Sequence, residues 1–151
     1  MRIEFRMIND AYQLPLIPDI LASLHGMKVF GKVDLKNGFH QILMHPDSQY
    51  LTAFPTSTGL YEFTRIPFGL KNAPAFFQQQ LTHVLRSFVG RICFVFIDDI
   101  VIFAVNEVDF IQNAYVVLQC LWENKIRLKL DKCIFGVSEI TFLGHVLNAD
   151  G

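Results

Sequence analysis

Hydrophobic positions change their spacing several times along the chain, and each spacing predicts a different element. Apolar residues at helical spacing predict helices over residues 15–24, ending near Gly26, over 72–88, and over 107–122. Alternating patterns and short apolar runs predict strands between and after these helices. The predicted strands and hairpin arms are residues 28–35, 50–54, 60–65, 92–97, 100–105, 125–130 and 140–147.

The order of these elements favours one fold class. Residues 92–97 and 100–105 are apolar runs rich in β-branched and aromatic side chains, joined by Asp98 and Asp99, which is typical of a tight hairpin buried on both arms. Helices and hairpins alternate without the regular βαβ order of a parallel sheet. We therefore predict an α+β fold with an antiparallel sheet faced by helices.

Composition bounds the class of protein. The chain has 151 residues, of which 52% are hydrophobic and 18% are charged, with a net charge of -1. This composition excludes a disordered chain and predicts one globular domain. It also excludes a uniformly basic surface, so any polyanion must bind locally. Basic residues at nearly alternating positions indicate either a solvated strand face or a strip that follows phosphates; they are Lys125, Arg127, Lys129 and Lys132.

Targeting signals are not evident. The longest apolar stretch, residues 92–105, is interrupted by Asp98 and Asp99 and is shorter than the roughly 20 apolar residues of a membrane span. Neither a secretory leader nor an Asn-x-Ser/Thr site is found, so we expect an intracellular protein without membrane partners. The scattered cysteines are expected to be reduced core thiols; they are Cys93, Cys120 and Cys133.

Acidic residues carry the clearest chemistry. Asp98 and Asp99 lie at the tip of an apolar hairpin, where two neighbouring carboxylates repel each other unless a cation neutralises them. The alternative is a solvated turn, in which Asp is also common. Asp34 ends a predicted strand, where it is either a turn residue or a third carboxylate beside the hairpin tip. If the two elements are neighbours, the carboxylates suit Mg²⁺ or Mn²⁺, and two such ions serve in-line phosphoryl transfer.

Ordered sequence blocks resemble a reverse transcriptase of gypsy-type long-terminal-repeat retrotransposons, and they cover essentially the whole chain. The blocks are VDLKNGFHQI at 33–42, TAF at 52–54, YEF at 61–63, PFGLKNAPAFFQ at 67–78, FIDD at 96–99, KC at 132–133 and FLGHV at 142–146. The resemblance implies a palm and fingers fold and an RNA-directed DNA polymerase.

The resemblance also implies a role for each matching acidic position. Asp34, Asp98 and Asp99 match the catalytic, metal-binding aspartates, and the backbone carbonyl of Leu35 is expected against the nucleotide-bound ion. The implied cofactor is Mg²⁺, with Mn²⁺ as a substitute. Phe96 stands where the family usually has Tyr, so this chain lacks one hydroxyl beside the pair.

Further matches concern the substrates. Phe39 matches an aromatic gate against the ribose 2′-hydroxyl, and Phe68 and Gly69 match residues that line the incoming dNTP. Lys132 matches a lysine near the triphosphate, a candidate general acid for pyrophosphate. Without the resemblance, the two phenylalanines would be ordinary core aromatics. The remaining match is the hairpin that grips the primer, formed by Leu143, Gly144 and His145.

The resemblance implies a partial domain. Residues 1–30 and 45–75 match fingers-side elements and the remainder matches the palm, whereas the thumb, the connection and RNase H are not represented. The fingers block is retained only over residues 4–9, and Leu51 replaces a common lysine. The implied partners are an RNA or DNA template with its primer, dNTPs, and the remainder of a Pol polyprotein with RNase H, integrase and protease. The implied location is a cytoplasmic particle or the nucleus.

Two alternatives to an active polymerase remain. One is an inactive or domesticated remnant with at most nucleic-acid binding. The other is a phosphoacceptor receiver domain, which also uses an acidic pair, a further Asp and a Lys. In a receiver the acidic pair precedes the single Asp and the sheet is parallel, the reverse of the order and sheet predicted here.

Overall fold

The computed structural model describes residues 4–5, 13 and 15–149. Its helices are α1 (Ile17–Ser23), α2 (Pro46–Gln49), α3 (Ala73–Val84) and α4 (Glu107–Glu123). Its strands are β1 (Glu4–Phe5), β2 (Val29–Asp34), β3 (Leu43–Met44), β4 (Phe54–Thr56), β5 (Gly59–Tyr61), β6 (Cys93–Phe96), β7 (Asp99–Ala104), β8 (Ile134–Val137), β9 (Ile140–Phe142) and β10 (His145–Leu147). Short 3-10 turns cover Gly38–Gln41, Tyr50–Thr52 and Leu130–Lys132.

A four-stranded sheet in the order β6-β7-β2-β8 forms the centre of the fold, and every pairing in it is antiparallel. The predicted α+β fold with an antiparallel sheet is confirmed. A receiver domain is excluded, because its sheet is parallel. The pairing of β2 with β7 runs from Val29 opposite Ala104 to Asp34 opposite Asp99.

One face of the sheet packs against α3 and α4. Val29 and Val33 of β2 point to this face and belong to the larger core, together with Phe77 of α3 and Phe110 of α4. A Cβ at Gly31 would lie 2.7 Å from Cζ of Phe110, so the close packing of α4 on β2 requires glycine at that position. This face carries no carboxylate of the predicted site.

The opposite face packs against α1 and the β9–β10 hairpin. Phe30 of β2, Phe103 of β7, Ile20 of α1 and Phe142 of β9 are buried together in a second cluster. Because side chains alternate across a strand, Lys32 and Asp34 share this face with Phe30. The sheet therefore presents its carboxylates beside the β9–β10 hairpin.

Four strand predictions need correction. The strand predicted over 60–65 ends at Tyr61 as β5, and beyond it Arg65 forms an isolated bridge with Leu43. Residues 125–130 do not form a strand; they contribute one isolated bridge, Leu35 with Leu128, followed by the 3-10 turn. Residues 140–147 form two strands joined by a tight turn rather than one strand. Residues 50–52 form a 3-10 turn, and strand β4 begins only at Phe54. Strand β8 was not predicted, because three of its four residues are exposed and its pattern does not alternate.

The predicted helix over 107–122 is confirmed as α4, but its most regular apolar stripe is not the buried one. Val108, Ile111, Tyr115 and Trp122 are between 66% and 79% exposed. A second stripe faces the sheet instead and is buried; it consists of Phe110, Ala114, Val117 and Leu121. The helix is apolar on two sides, so periodicity predicts the element and cannot select the face that packs.

The peripheral elements are small. β4 and β5 form the predicted hairpin over the Thr56–Gly59 turn, and β1 pairs in parallel with β3. Of the fingers block at residues 4–9, only the backbone of residues 4–5 falls within the described part of the chain. No helix among the described residues is long and apolar enough to cross a membrane. The three cysteines form no disulfide with one another; Cys93 is buried, and Cys120 and Cys133 are partly buried.

Candidate active site

Asp34 and Asp99 lie directly opposite each other on neighbouring strands. They form the last pair of the β2–β7 ladder, so both side chains stand on the same face of the sheet at its end. Asp98 precedes Asp99 in the two-residue turn of the β6–β7 hairpin, where Phe96 pairs with Asp99. The structure thus brings Asp34 to the hairpin that carries Asp98 and Asp99, although Asp34 precedes them by 64 residues or more in the sequence.

The hairpin turn is strained and braced. Ile97 has a φ of +54°, a region that β-branched residues avoid. The buried side chain of Gln78, from α3, accepts a hydrogen bond from the Ile97 amide at 2.5 Å and donates one to the Val95 carbonyl at 2.8 Å. One amide group therefore satisfies the backbone on both sides of the strained residue and fixes the tip that carries Asp98.

The loop after Asp34 leaves room for the Asp98 carboxylate. Asn37 adopts a left-handed conformation, and the buried Gly38 that follows faces Asp98. A Cβ at Gly38 would lie 2.5 Å from Oδ1 of Asp98. That Oδ1 atom is buried and has no hydrogen-bond partner among the described residues. A buried carboxylate oxygen without a partner is costly unless a cation binds it.

Electrostatics agree with the geometry. Burial raises the pKa of the Asp98 carboxyl above its ordinary value, and the neighbouring charges of Asp99 and Asp34 raise it further. All three carboxylates therefore interact, and a positive charge bound among them would lower the pKa of Asp98 again.

The donor set fits a hard divalent cation, with Asp34 and Asp98 as the carboxylates free to hold it. In the described part of the chain no three acidic, His or Cys side chains are already gathered around one point. Asp99 is already engaged, because its Oδ2 lies 2.9 Å from Nζ of Lys32. Leu35 forms an isolated bridge with Leu128. The hydrogen bonds of this bridge use the Asp34 carbonyl and the Lys36 amide, so the Leu35 carbonyl takes no part in them.

The backbone around Asp34 is held from the opposite side by the segment before β8. Its carbonyl accepts a hydrogen bond from the Lys129 amide at 2.9 Å, and its amide approaches Sγ of Cys133 at 3.5 Å. The exposed Lys132 is the neighbour of Cys133, which places it beside the end of β2 that carries Asp34.

Aromatic residues form one wall near Gly38. The ring of Phe39 meets those of Phe68 and Phe77 edge to face, at centroid distances of 5.8 and 5.2 Å. Phe68 is 69% exposed, so it is not the core residue that composition alone would suggest. Phe68 and Gly69 line a cavity of about 500 Å³ together with His40. The structure thus groups three of the four predicted nucleotide-binding residues, whereas Lys132 lies apart from them, beside Cys133.

A larger cavity is lined in part by the loop that follows Asp34. It measures about 760 Å³, and its wall includes Lys36, Arg65, Lys125 and Arg127. Gln41 bridges it, because its side chain donates to the carbonyls of Lys36 and Arg127. Part of the basic strip predicted from the sequence therefore lines a concave surface, not the face of a strand.

The predicted primer-binding residues form the turn between β9 and β10. Leu143 and Gly144 have φ values of +52° and +79°, the pattern of a tight type I′ turn, and Phe142 pairs with His145. Phe142 is buried in the second cluster with Val101 of β7. The hairpin is thus anchored on the sheet face that carries Asp99, with His145 exposed.

A family profile described as reverse transcriptase (RNA-dependent DNA polymerase) matches residues 2–147. The chain belongs to the reverse transcriptase family. This reverse transcriptase domain is 41% identical over 99% of its length to the Retrovirus-related Pol polyprotein from transposon gypsy of Drosophila melanogaster, of which it covers 15%. It is 39% identical over 91% of its length to the enzymatic polyprotein of Cauliflower mosaic virus (strain NY8153), of which it covers 20%.

Solved structures give the same family. The foamy viral protease-reverse transcriptase in complex with an RNA/DNA hybrid matches 94% of this domain with a TM-score of 0.85 and 29% identity. The domain covers 19% of that chain. The predicted gypsy-type relationship and the reverse transcriptase fold are confirmed by these comparisons.

Sequence reasoning missed roles for three residues of this reverse transcriptase domain. Gln78 and Gly38 lie in the quoted blocks, but nothing in their spacing shows that they touch the hairpin tip. Lys32 lies two residues before Asp34, so strand alternation places it on the same face and was the available signal.

Proposed function

We propose that this domain catalyses RNA-directed DNA synthesis, the attack of a primer 3′-hydroxyl on the α-phosphate of a dNTP. The observation that carries the proposal is the pairing of Asp34 with Asp99 in a chain of the reverse transcriptase family. Beside this pair lies the buried Oδ1 of Asp98, which has no hydrogen-bond partner within the described part of the chain. Hard oxygen donors at the edge of a sheet are what phosphoryl transfer requires.

The residues that would hold the cofactor are Asp34, Asp98, Asp99 and the carbonyl of Leu35. We propose Mg²⁺ as the ion, with Mn²⁺ as a substitute. When bound, divalent ions supply positive charge to the phosphates and to the attacking oxygen. The protein contributes the fixed positions of its oxygens, since Gln78 holds the hairpin tip and the Cys133 and Lys129 contacts hold Asp34.

Phe39, Phe68 and Gly69 are proposed to receive the nucleotide. The Phe39 ring is held between two other aromatic rings, so it cannot easily move away from a ribose 2′-hydroxyl. This rigidity favours dNTPs over rNTPs. Lys132 is proposed to lie near the triphosphate and to donate a proton to pyrophosphate.

The turn of Leu143, Gly144 and His145 is proposed to hold the primer terminus. An RNA or DNA template would be read by base pairing, so the protein needs contacts only to its backbone. By the same resemblance, residues 1–30 and 45–75 are proposed as fingers and the remainder as palm. The further proposed partners are the other parts of a Pol polyprotein, namely protease, RNase H and integrase. The proposed location is a cytoplasmic particle or the nucleus.

Primer extension on poly(rA)/oligo(dT) with Mg²⁺ or Mn²⁺ tests the proposal. We expect extension by the parent and loss of at least about a hundredfold in Asp98→Asn, since removing one charge-stabilising group costs about that much. Glu107→Gln is the matched control, because it removes one exposed carboxylate in the first turn of α4, which follows the end of β7 away from Asp99.

A second readout separates chemistry from binding. Mn²⁺ should raise the melting temperature of the parent and of Glu107→Gln, but not that of Asp98→Asn. Extension that persists in Asp98→Asn, or a folded parent without any response to Mn²⁺, would overturn the proposed site.

A further inference from the structure

We propose that Lys32 is a positioning residue that neutralises Asp99 and competes with divalent cations for its carboxylate, so that Lys32 sets the metal affinity of the site. The proposal rests on the proposed function only in that the carboxylates bind a divalent ion. It assigns a new role to a residue that does not belong to any of the matched blocks.

The position of Lys32 follows from strand geometry. It lies two residues before Asp34 on β2 and opposite Val101 on β7, while Asp99 lies opposite Asp34. Lys32 and Asp99 are therefore diagonal neighbours on one face of an antiparallel pair, within reach of a long side chain. The ammonium group meets Oδ2 of Asp99 at 2.9 Å.

This ion pair differs from an ordinary surface pair in its surroundings. The side chains of Lys32 and Asp99 are only 24% and 28% exposed, so solvent screens them less than it screens an exposed pair. Two further carboxylates adjoin Asp99: Asp34 lies opposite it on β2, and Asp98 precedes it in the hairpin turn. Among the described residues, the Lys32 ammonium is the cation that forms an ion pair with any of these three carboxylates.

Lys32 and a divalent cation compete because the Asp99 carboxylate carries only one negative charge. Its Oδ2 cannot give full negative charge both to an ammonium at hydrogen-bond distance and to a divalent cation. The ion that binds must either leave Asp99 with Lys32 and use Asp34 and Asp98, or displace the ammonium. In both cases the positive charge of Lys32 opposes the incoming cation.

The decisive experiment measures Mn²⁺ affinity directly, by isothermal titration calorimetry and by the electron paramagnetic resonance signal of free Mn²⁺. Lys32→Met keeps most of the apolar stem and removes the charge. We expect it to bind Mn²⁺ about fivefold more tightly than the parent, the effect of a charge interaction of moderate strength. Lys32→Arg keeps the charge and should stay close to the parent.

Two controls make the result specific. Lys28→Met removes an exposed lysine just before the other end of β2 and should leave Mn²⁺ affinity unchanged. In an Asp99→Asn background, Lys32→Met should give a smaller gain than in the parent, because the competition for the Asp99 carboxylate is gone and only the repulsion between Lys32 and the cation remains. Lys32→Gln removes the same charge and retains the test if the single Lys32→Met variant does not fold.

The outcomes are distinct. Unchanged or weaker Mn²⁺ binding by a folded Lys32→Met overturns the role of Lys32 and leaves the proposed function standing. Loss of affinity for the primer–template duplex without a change in Mn²⁺ affinity also overturns it, since Lys32 would then serve a phosphate. A folded parent that binds no Mn²⁺ overturns the proposed function as well.

Discussion

Gly38 and Asp98 face each other so closely that a Cβ on the glycine would lie 2.5 Å from Oδ1 of the carboxylate. The two residues are 60 positions apart in the sequence, on different elements. Their contact shows that the loop after β2 and the tip of the β6–β7 hairpin are fitted to each other. The Asp98 side chain fills the space that a side chain at position 38 would occupy.

Substituting Gly38→Ala should therefore displace Asp98 while the sheet stays intact. A shift of about 1 Å in a catalytic group costs on the order of a hundredfold in rate, so we expect at least a tenfold loss of primer extension. Mn²⁺ affinity should fall in parallel, and circular dichroism should confirm the fold. Parent-like Mn²⁺ binding in this variant would contradict the prediction, because the Asp98 carboxylate would then bind the ion equally well from another position.

The charge of Asp98 should destabilise the metal-free domain at neutral pH. Its pKa is raised from 3.8 in the folded chain, so between the two values the folded state binds more protons than the unfolded state. Stability must then fall as the pH rises through that window. Asp98→Asn should remove this loss and raise the melting temperature of the metal-free domain near pH 7. Equal melting curves for parent and variant from pH 4 to pH 8 would contradict the argument.

Gln78 should matter for the shape of the hairpin tip. Gln78→Leu has similar volume but leaves the Ile97 amide and the Val95 carbonyl without their partner, at a cost of about 1–3 kcal/mol in unfolding free energy. Extension should also fall, because the strained Ile97 turn can then relax. The neighbouring Gln79→Leu, on the same helix, is the control and should change stability by less than about 0.5 kcal/mol. Equal stabilities of the two variants would refute the bracing role.

The Cys93 thiol should resist alkylation in the native domain. Burial raises its pKa to about 12, with a further contribution from Cys120, so the reactive thiolate is scarce at pH 8. Iodoacetamide followed by mass spectrometry should label Cys93 only after unfolding, and Cys93→Ala identifies the peptide. Rapid labelling under native conditions would mean that β6 opens far more readily than its packing indicates.

Much of the fold was readable from local patterns. The hairpin around Asp98 and Asp99 and the three main helices follow from short-range spacing, because the physical cause of each lies within a few residues. The pattern failed at residues 125–130, where the alternation of basic and apolar residues serves one bridge to Leu35 and the wall of a cavity. It also failed on α4, whose two apolar stripes are equivalent until a sheet covers one of them.

The sequence by itself determined the three main helices, the hairpin that carries Asp98 and Asp99, the family and the identity of the acidic residues, since these depend on composition, spacing and ordered blocks. Only the tertiary structure decided the register that sets Asp34 opposite Asp99, the brace from Gln78 and the ion pair of Lys32 with Asp99. These relations join residues that are far apart in the chain. Burial and close packing select them, and no local pattern encodes which distant side chain fills a given space.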